Sequence, residues 1–66
     1  MQVHVNGEAR EIAEGLTAAM LLDELKIEPE RVVVEVNLAI LRRHQLAATV
    51  LKPGDRVEIV HFVGGG

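Results

Sequence analysis

Lys52-Pro53-Gly54-Asp55, then Arg56-Val57-Glu58-Ile59-Val60-His61-Phe62-Val63, then Gly64-Gly65-Gly66, is the stretch that orients the whole chain. Proline at the second position and glycine at the third predict a type II turn, since proline holds φ near the required value and glycine accepts the positive φ that follows. From Arg56 to Val63 the residues read as a closing strand, with Val57 and Ile59 on one face and Glu58, Val60 and Phe62 on the other. Glycine lacks a Cβ and loses the most entropy on ordering, so a triple-glycine end cannot stabilise a fold. Residues 63–66 are therefore expected to form a flexible tail ending in an unhindered carboxylate, free to thread where a side chain would not fit.

Upstream, Met1, Val3 and Val5 alternate with Gln2, His4 and Asn6, the period of a half-buried strand, and Asn6-Gly7 is the strongest short hairpin signal. A second strand is expected from about Glu8 to Ala13, with Ile12 its single large apolar residue. After Gly15 the period changes. Ala18, Leu21, Leu22 and Leu25 fall on one helical stripe while Asp23, Glu24 and Lys26 face away. Thr17 suits the N-cap, Leu16 and Leu21 suit a hydrophobic staple, and Pro29 marks the stop. Val32, Val34 and Val36 alternate with Val33, Glu35 and Asn37 as a third strand, and the apolar Val33 on its outer side predicts a covered or central position. Leu38 to Leu41 continues as a short strand, and Arg43 to Thr49 holds at most one helical turn.

Composition bounds what such a chain can do. Its 66 residues, 48% hydrophobic with Phe62 as the lone aromatic, predict one small domain with an aliphatic core of Val, Leu, Ile and Ala. The absence of cysteine excludes disulfides, thiolate metal sites and side-chain thiol chemistry. A net charge of −3, with basic residues gathered mainly at Arg42, Arg43 and His44, argues against nucleic-acid binding, which needs several phosphate-neutralising cations and stacking aromatics. No apolar stretch approaches the ~18 residues of a membrane span, and Met1 leads into a strand pattern rather than a signal peptide, so no membrane partner and a cytoplasmic location are expected.

The order hairpin, helix, strands, final strand excludes a doubly wound sheet and predicts an α+β domain, a mixed sheet packed on one main helix in the order of the β-grasp, or ubiquitin-like, fold. Asn6-Gly7-Glu8, Leu21-Leu22 with Leu25, Val34-Glu35-Val36-Asn37, Gly54-Asp55-Arg56-Val57-Glu58-Ile59-Val60 and the terminal Gly64-Gly65-Gly66 together resemble the ThiS family, the ubiquitin-like sulfur carriers of thiamine biosynthesis. The resemblance spans nearly the whole chain, as a single domain over residues 1–66. One departure stands out: the family usually carries a glycine shortly after the asparagine of the third strand and a proline before the following arginine, whereas this chain reads Asn37-Leu38-Ala39-Ile40-Leu41-Arg42.

The resemblance implies a protein cosubstrate rather than an enzyme, with no bound cofactor. A ThiF-like adenylating enzyme would use ATP and Mg to activate the Gly66 carboxylate, since a carboxylate is a poor electrophile until activated. A persulfide donor would then supply sulfur, leaving a thiocarboxylate on Gly66 for thiazole synthase. Gly64 and Gly65 would thread the tail into each active site, and an extended 63–66 segment reaches about 13–14 Å. Two alternatives share the architecture: the small subunit of molybdopterin synthase or another ubiquitin-like sulfur carrier, and a β-grasp interaction module whose tail is never activated.

If Val57 and Ile59 face the helix, Val60 and Phe62 lie on the outer face beside the tail and form a partner-binding patch. The plainer alternative is a strand end that twists so that Phe62 packs on the rim of the core. Arg42, Arg43 and His44 read as a solvated face. His4 and His61 would approach if the first and last strands are neighbours, but two histidines make a poor zinc site, and no catalytic metal or paired-carboxylate pocket is expected.

Overall fold

A computed structural model of the chain describes residues 1–62. Along the chain it contains β1 (Gln2–Val5), β2 (Glu8–Glu11), α1 (Ala18–Glu24), a 3-10 turn at Pro29–Arg31, β3 (Val32–Val36), β4 (Ala39–Leu41), a second 3-10 turn at Arg43–Gln45, and β5 (Arg56–His61). The five strands form one sheet in the order β2-β1-β5-β3-β4. β5 runs parallel to β1 and antiparallel to β3, so the last strand of the chain is the central strand of the sheet. This is the expected β-grasp arrangement.

Local chemistry explains most of the joints. Asn6 and Gly7 both take positive φ, 50° and 84°, in a two-residue loop that sets Val5 opposite Glu8, as the Asn-Gly pair predicts. In the Lys52–Asp55 turn, Gly54 has φ 82° and the Asp55 N–H donates to the Lys52 carbonyl, the pattern of type II. Thr17 caps α1, its Oγ1 accepting from the Met20 N–H at 3.1 Å, and Leu16 and Leu21 are both buried in the core, as a staple requires.

Two expectations are corrected. The helix is stopped not by Pro29 but five residues earlier in chain terms, at Glu24, where Lys26 turns to φ 58° and two bonds close the end: Lys26 N–H to Asp23 O and Ile27 N–H to Leu22 O. That pair is a Schellman motif, which satisfies the terminal carbonyls without a proline, and Pro29 instead starts the 3-10 turn before β3. The third strand does not run on into Leu38: Asn37 and Leu38 make a two-residue hairpin loop, both with positive φ, and β4 begins at Ala39. Of the two positions Val33 allows, the structure takes the second: β3 lies inside the sheet between β5 and β4, while Val33 itself is 37% exposed because only one face of the sheet meets α1.

The core lies on that face. Val3, Val57, Ile59, Val32, Val34 and Val36 from the sheet meet Ala18, Leu21 and Leu22 from α1, closed at the margins by Leu16, Leu46 and Leu51. β2 carries little of this core. It is an edge strand of Glu8, Ala9, Arg10 and Glu11, and charge on an edge discourages pairing with foreign strands, which accounts for its weak alternation.

Candidate functional site

The end of β5 is where the expected site residues converge, because this strand leads out of the middle of the sheet toward residues 63–66. Gly64, Gly65 and Gly66 lie outside the described residues. What the structure places is the platform from which they depart.

The two expected patch residues part company there. Val60 is 53% exposed and sits directly opposite Val33 on the face of the sheet that does not meet α1, with Ile40 also exposed on that face two strands away. Phe62, half exposed, lies one residue beyond β5 and lines a cleft of about 180 Å³ with Val32, Val34 and Leu46, which belong to the core side. Its N–H donates to the Arg31 carbonyl at 3.2 Å, extending the pairing with the β3 side by one residue. Thus Val60 occupies the outer face as the strand period requires, while Phe62 leans over the end of β3 toward the rim of the core.

On the outer face Glu35 of β3 stands opposite Glu58 of β5, beside the Val33–Val60 pair. The exposed surface of this end of β5 is therefore an apolar strip flanked by carboxylates.

Histidine geometry excludes the pairing that adjacent strands allowed. β1 and β5 are neighbours, but His4 stands opposite Arg56 at the start of β5 and His61 is the strand's last residue. No group of three or more His, Asp or Glu among the described residues is placed to hold a metal. Arg42, Arg43 and His44 are exposed; Arg43 pairs with Glu30 at 3.1 Å, an exposed contact of small energetic weight.

Asn6 does more than form the turn that its sequence predicts: it also reaches across to β5, where its Oδ1 accepts from the Ile59 N–H at 2.7 Å and its Nδ2 donates to the Ile59 carbonyl at 3.3 Å. β1 itself pairs with β5 only as far as Val57, so the Asn6 side chain continues in place of a strand. Spacing along the chain gives no signal of this, since the partners are 53 residues apart. A similar amide bridge ties the β3–β4 loop to the type II turn: Asn37 donates to Asp55 and accepts from the Arg56 N–H.

Comparison with known proteins places this architecture. The ThiS family model matches residues 3–66. The chain is 42% identical to the thiamine biosynthesis protein ThiS of Geobacter metallireducens, whose crystal structure superposes with a TM-score of 0.86 over the whole of both chains. It is 29% identical to the sulfur carrier protein ThiS of Escherichia coli, again over all of both chains. It is 44% identical over its full length to part of a thiazole synthase of Magnetococcus marinus, of which it spans 20%. No helix among the described residues is long and apolar enough to cross a membrane.

Proposed function

The chain belongs to the ThiS family, and from that membership we propose that it is a sulfur carrier of the cytoplasm whose Gly66 carboxylate is activated by another protein. The observation that carries this reading is the family match itself, which runs from the first strand through the terminal glycines as one unit.

In this reading a ThiF-like enzyme binds the globular body and takes the tail into its active site. A Gly66 carboxylate oxygen attacks the α-phosphorus of ATP, with Mg on the phosphates, and pyrophosphate leaves. The terminal sulfur of a persulfide donor then displaces AMP from the acyl carbon, and cleavage of the remaining sulfur–sulfur bond by a thiol leaves the thiocarboxylate. The chain contributes no catalytic group. It contributes position: the central strand β5, held by β3 along its length and by β1 over its first half, precedes the tail, while Gly64 and Gly65 allow the backbone past a constriction without a Cβ. The exposed Val60, with Val33 beside it, supplies an apolar surface next to the tail for the partner to grip. Likeness to a thiazole synthase along the entire chain supports thiazole formation as the destination of the sulfur.

The test is intact-mass spectrometry after incubation with a ThiF-like enzyme, ATP, Mg and a persulfide source. The native chain is expected to gain the mass difference of sulfur for oxygen. Deletion of Gly66, or Gly65→Trp, is expected to abolish that gain without altering the circular dichroism spectrum. An undiminished shift in the deletion variant would refute the assignment.

A further inference from the structure

β5 outruns β1, and the consequence is an unfinished edge in the middle of the sheet. Alternate residues of β5 point their backbone groups to opposite sides. Toward β3 point Arg56 and Phe62, whose bonds to Asn37 and Arg31 mark the hydrogen-bonded positions. Toward β1 point Asp55, whose carbonyl accepts from His4 N–H; Val57, whose carbonyl accepts from Asn6 N–H; and Ile59, satisfied in both groups by the Asn6 side chain. His61 is next in that series. Its N–H and C=O have no partner among the described residues, although an extended strand presents both in register with those before it.

Beside this gap lies an open groove of about 280 Å³ between the β1–β2 hairpin, the end of β5 and the C-terminal end of α1. Val5, Leu25, Ile27 and Ile59 give it an apolar floor, and Glu8, Arg10 and His61 stand in its walls, with no ion pair between Glu8 and Arg10. Arg10 forms no ion pair among the described residues, and its Nε is buried without a hydrogen-bond partner. A guanidinium left without an ion-pair partner favours whatever carboxylate comes within reach of its amino groups.

We propose that this groove takes an extended segment of a partner protein by strand addition: its backbone pairs with the free N–H and C=O of His61, an apolar side chain enters among Val5, Leu25 and Ile27, and an adjacent acidic side chain meets Arg10. Each element asks for a different part of that occupant. Paired donor and acceptor on one residue are matched by main chain, which offers both at strand spacing. The floor asks for an apolar side chain, and the unmatched arginine for an acidic one. A second copy of this chain fits less well, since each copy carries a net charge of −3 and the two would bring the same arginine and histidine face to face. Asn6 sets the limit of the added strand, because its side chain already occupies Ile59. The surface lies on the opposite side of the sheet from the Val33–Val60 strip, and its use does not require that Gly66 be activated.

The test selects a phage-displayed random decapeptide library against the full immobilised chain and titrates the synthesised winner into the isotopically labelled chain by NMR. Binding is expected to shift the Asn6, Arg10, Ile27 and His61 signals and to slow exchange of the His61 amide. Arg10→Glu is expected to weaken binding about tenfold, as loss of one charge contact does. His61→Pro removes the N–H without touching the Phe62–Arg31 bond and is expected to weaken it similarly; N-methylating alternate amides of the peptide checks the same contact on an unaltered protein. Selection of no binder, shifts confined to Val33 and Val60, equal affinity for the N-methylated peptide, or a peptide-free dimer that protects His61 would each overturn the proposal.

Discussion

Leu38 sits at φ 73° in a two-residue loop, 88% exposed, where burial gives it no stabilising contact. A left-handed conformation costs a side-chain-bearing residue on the order of 1–2 kcal/mol, and glycine escapes that cost at the expense of some entropy in the unfolded chain. Leu38→Gly is therefore expected to stabilise the domain by about 1 kcal/mol, raising Tm by roughly 4–8 °C for a domain of this size, measured by thermal denaturation. A fall in Tm would mean that Leu38 has a contact in solution that its exposure denies. The departure of Leu38 from the family pattern is visible in the sequence and falls on the turn, whereas the strand period alone runs straight through it. Asn6 shows the opposite limit. Its turn was legible because Asn-Gly acts within four residues, whereas its pairing with Ile59 depends on which strand lies beside β1, and no local pattern encodes that.

At the scale of the element, α1 shows why its start could be read and its end could not. The start rests on Thr17, a residue type whose side chain caps a helix and little else in that position, and the structure shows the bond. The end rests on backbone bonds closed by Lys26 at φ 58°, a position that normally advertises itself with glycine. With lysine there the signal is silent, and the nearest stop the sequence displays is Pro29. Lys26→Gly keeps both closing bonds and removes the Cβ penalty, so it is expected to stabilise the chain by about 0.5–1 kcal/mol, read from the urea midpoint at unchanged slope. Lys26→Val, unable to adopt the left-handed region cheaply, is expected to shift the midpoint the other way. The strands divide in the same manner. β1, β3 and β5 showed their period because one face of each is buried against the helix, while β2 and β4 are edges with few buried side chains and left only fragments of a pattern.

For the whole molecule, the sheet separates stability from contact: one face builds the core and the other faces solvent. Leu51 is 2% exposed, and Leu51→Ala is expected to cost about 2–5 kcal/mol, comparable to the entire stability of a domain this small. Val60, 53% exposed and paired across strands with Val33, contributes at most about 1 kcal/mol to the fold. Val60→Ser is thus expected to leave the protein folded, with Tm within a few degrees of the parent by the same scaling. If the apolar strip is what the adenylating partner grips, the same variant slows ATP–pyrophosphate exchange about tenfold at subsaturating carrier and recovers at high carrier concentration, since one lost apolar contact in a docking surface weakens binding by about that factor. Phe62→Ala separates the two roles further. Because Phe62 lines the cleft with Val32, Val34 and Leu46, its truncation lowers Tm more than Val60→Ser does, whatever it does to exchange. Equal exchange kinetics for Val60→Ser and the parent at every carrier concentration would remove the outer face from the docking surface and leave the tail and the β5 edge as the surfaces a partner can use.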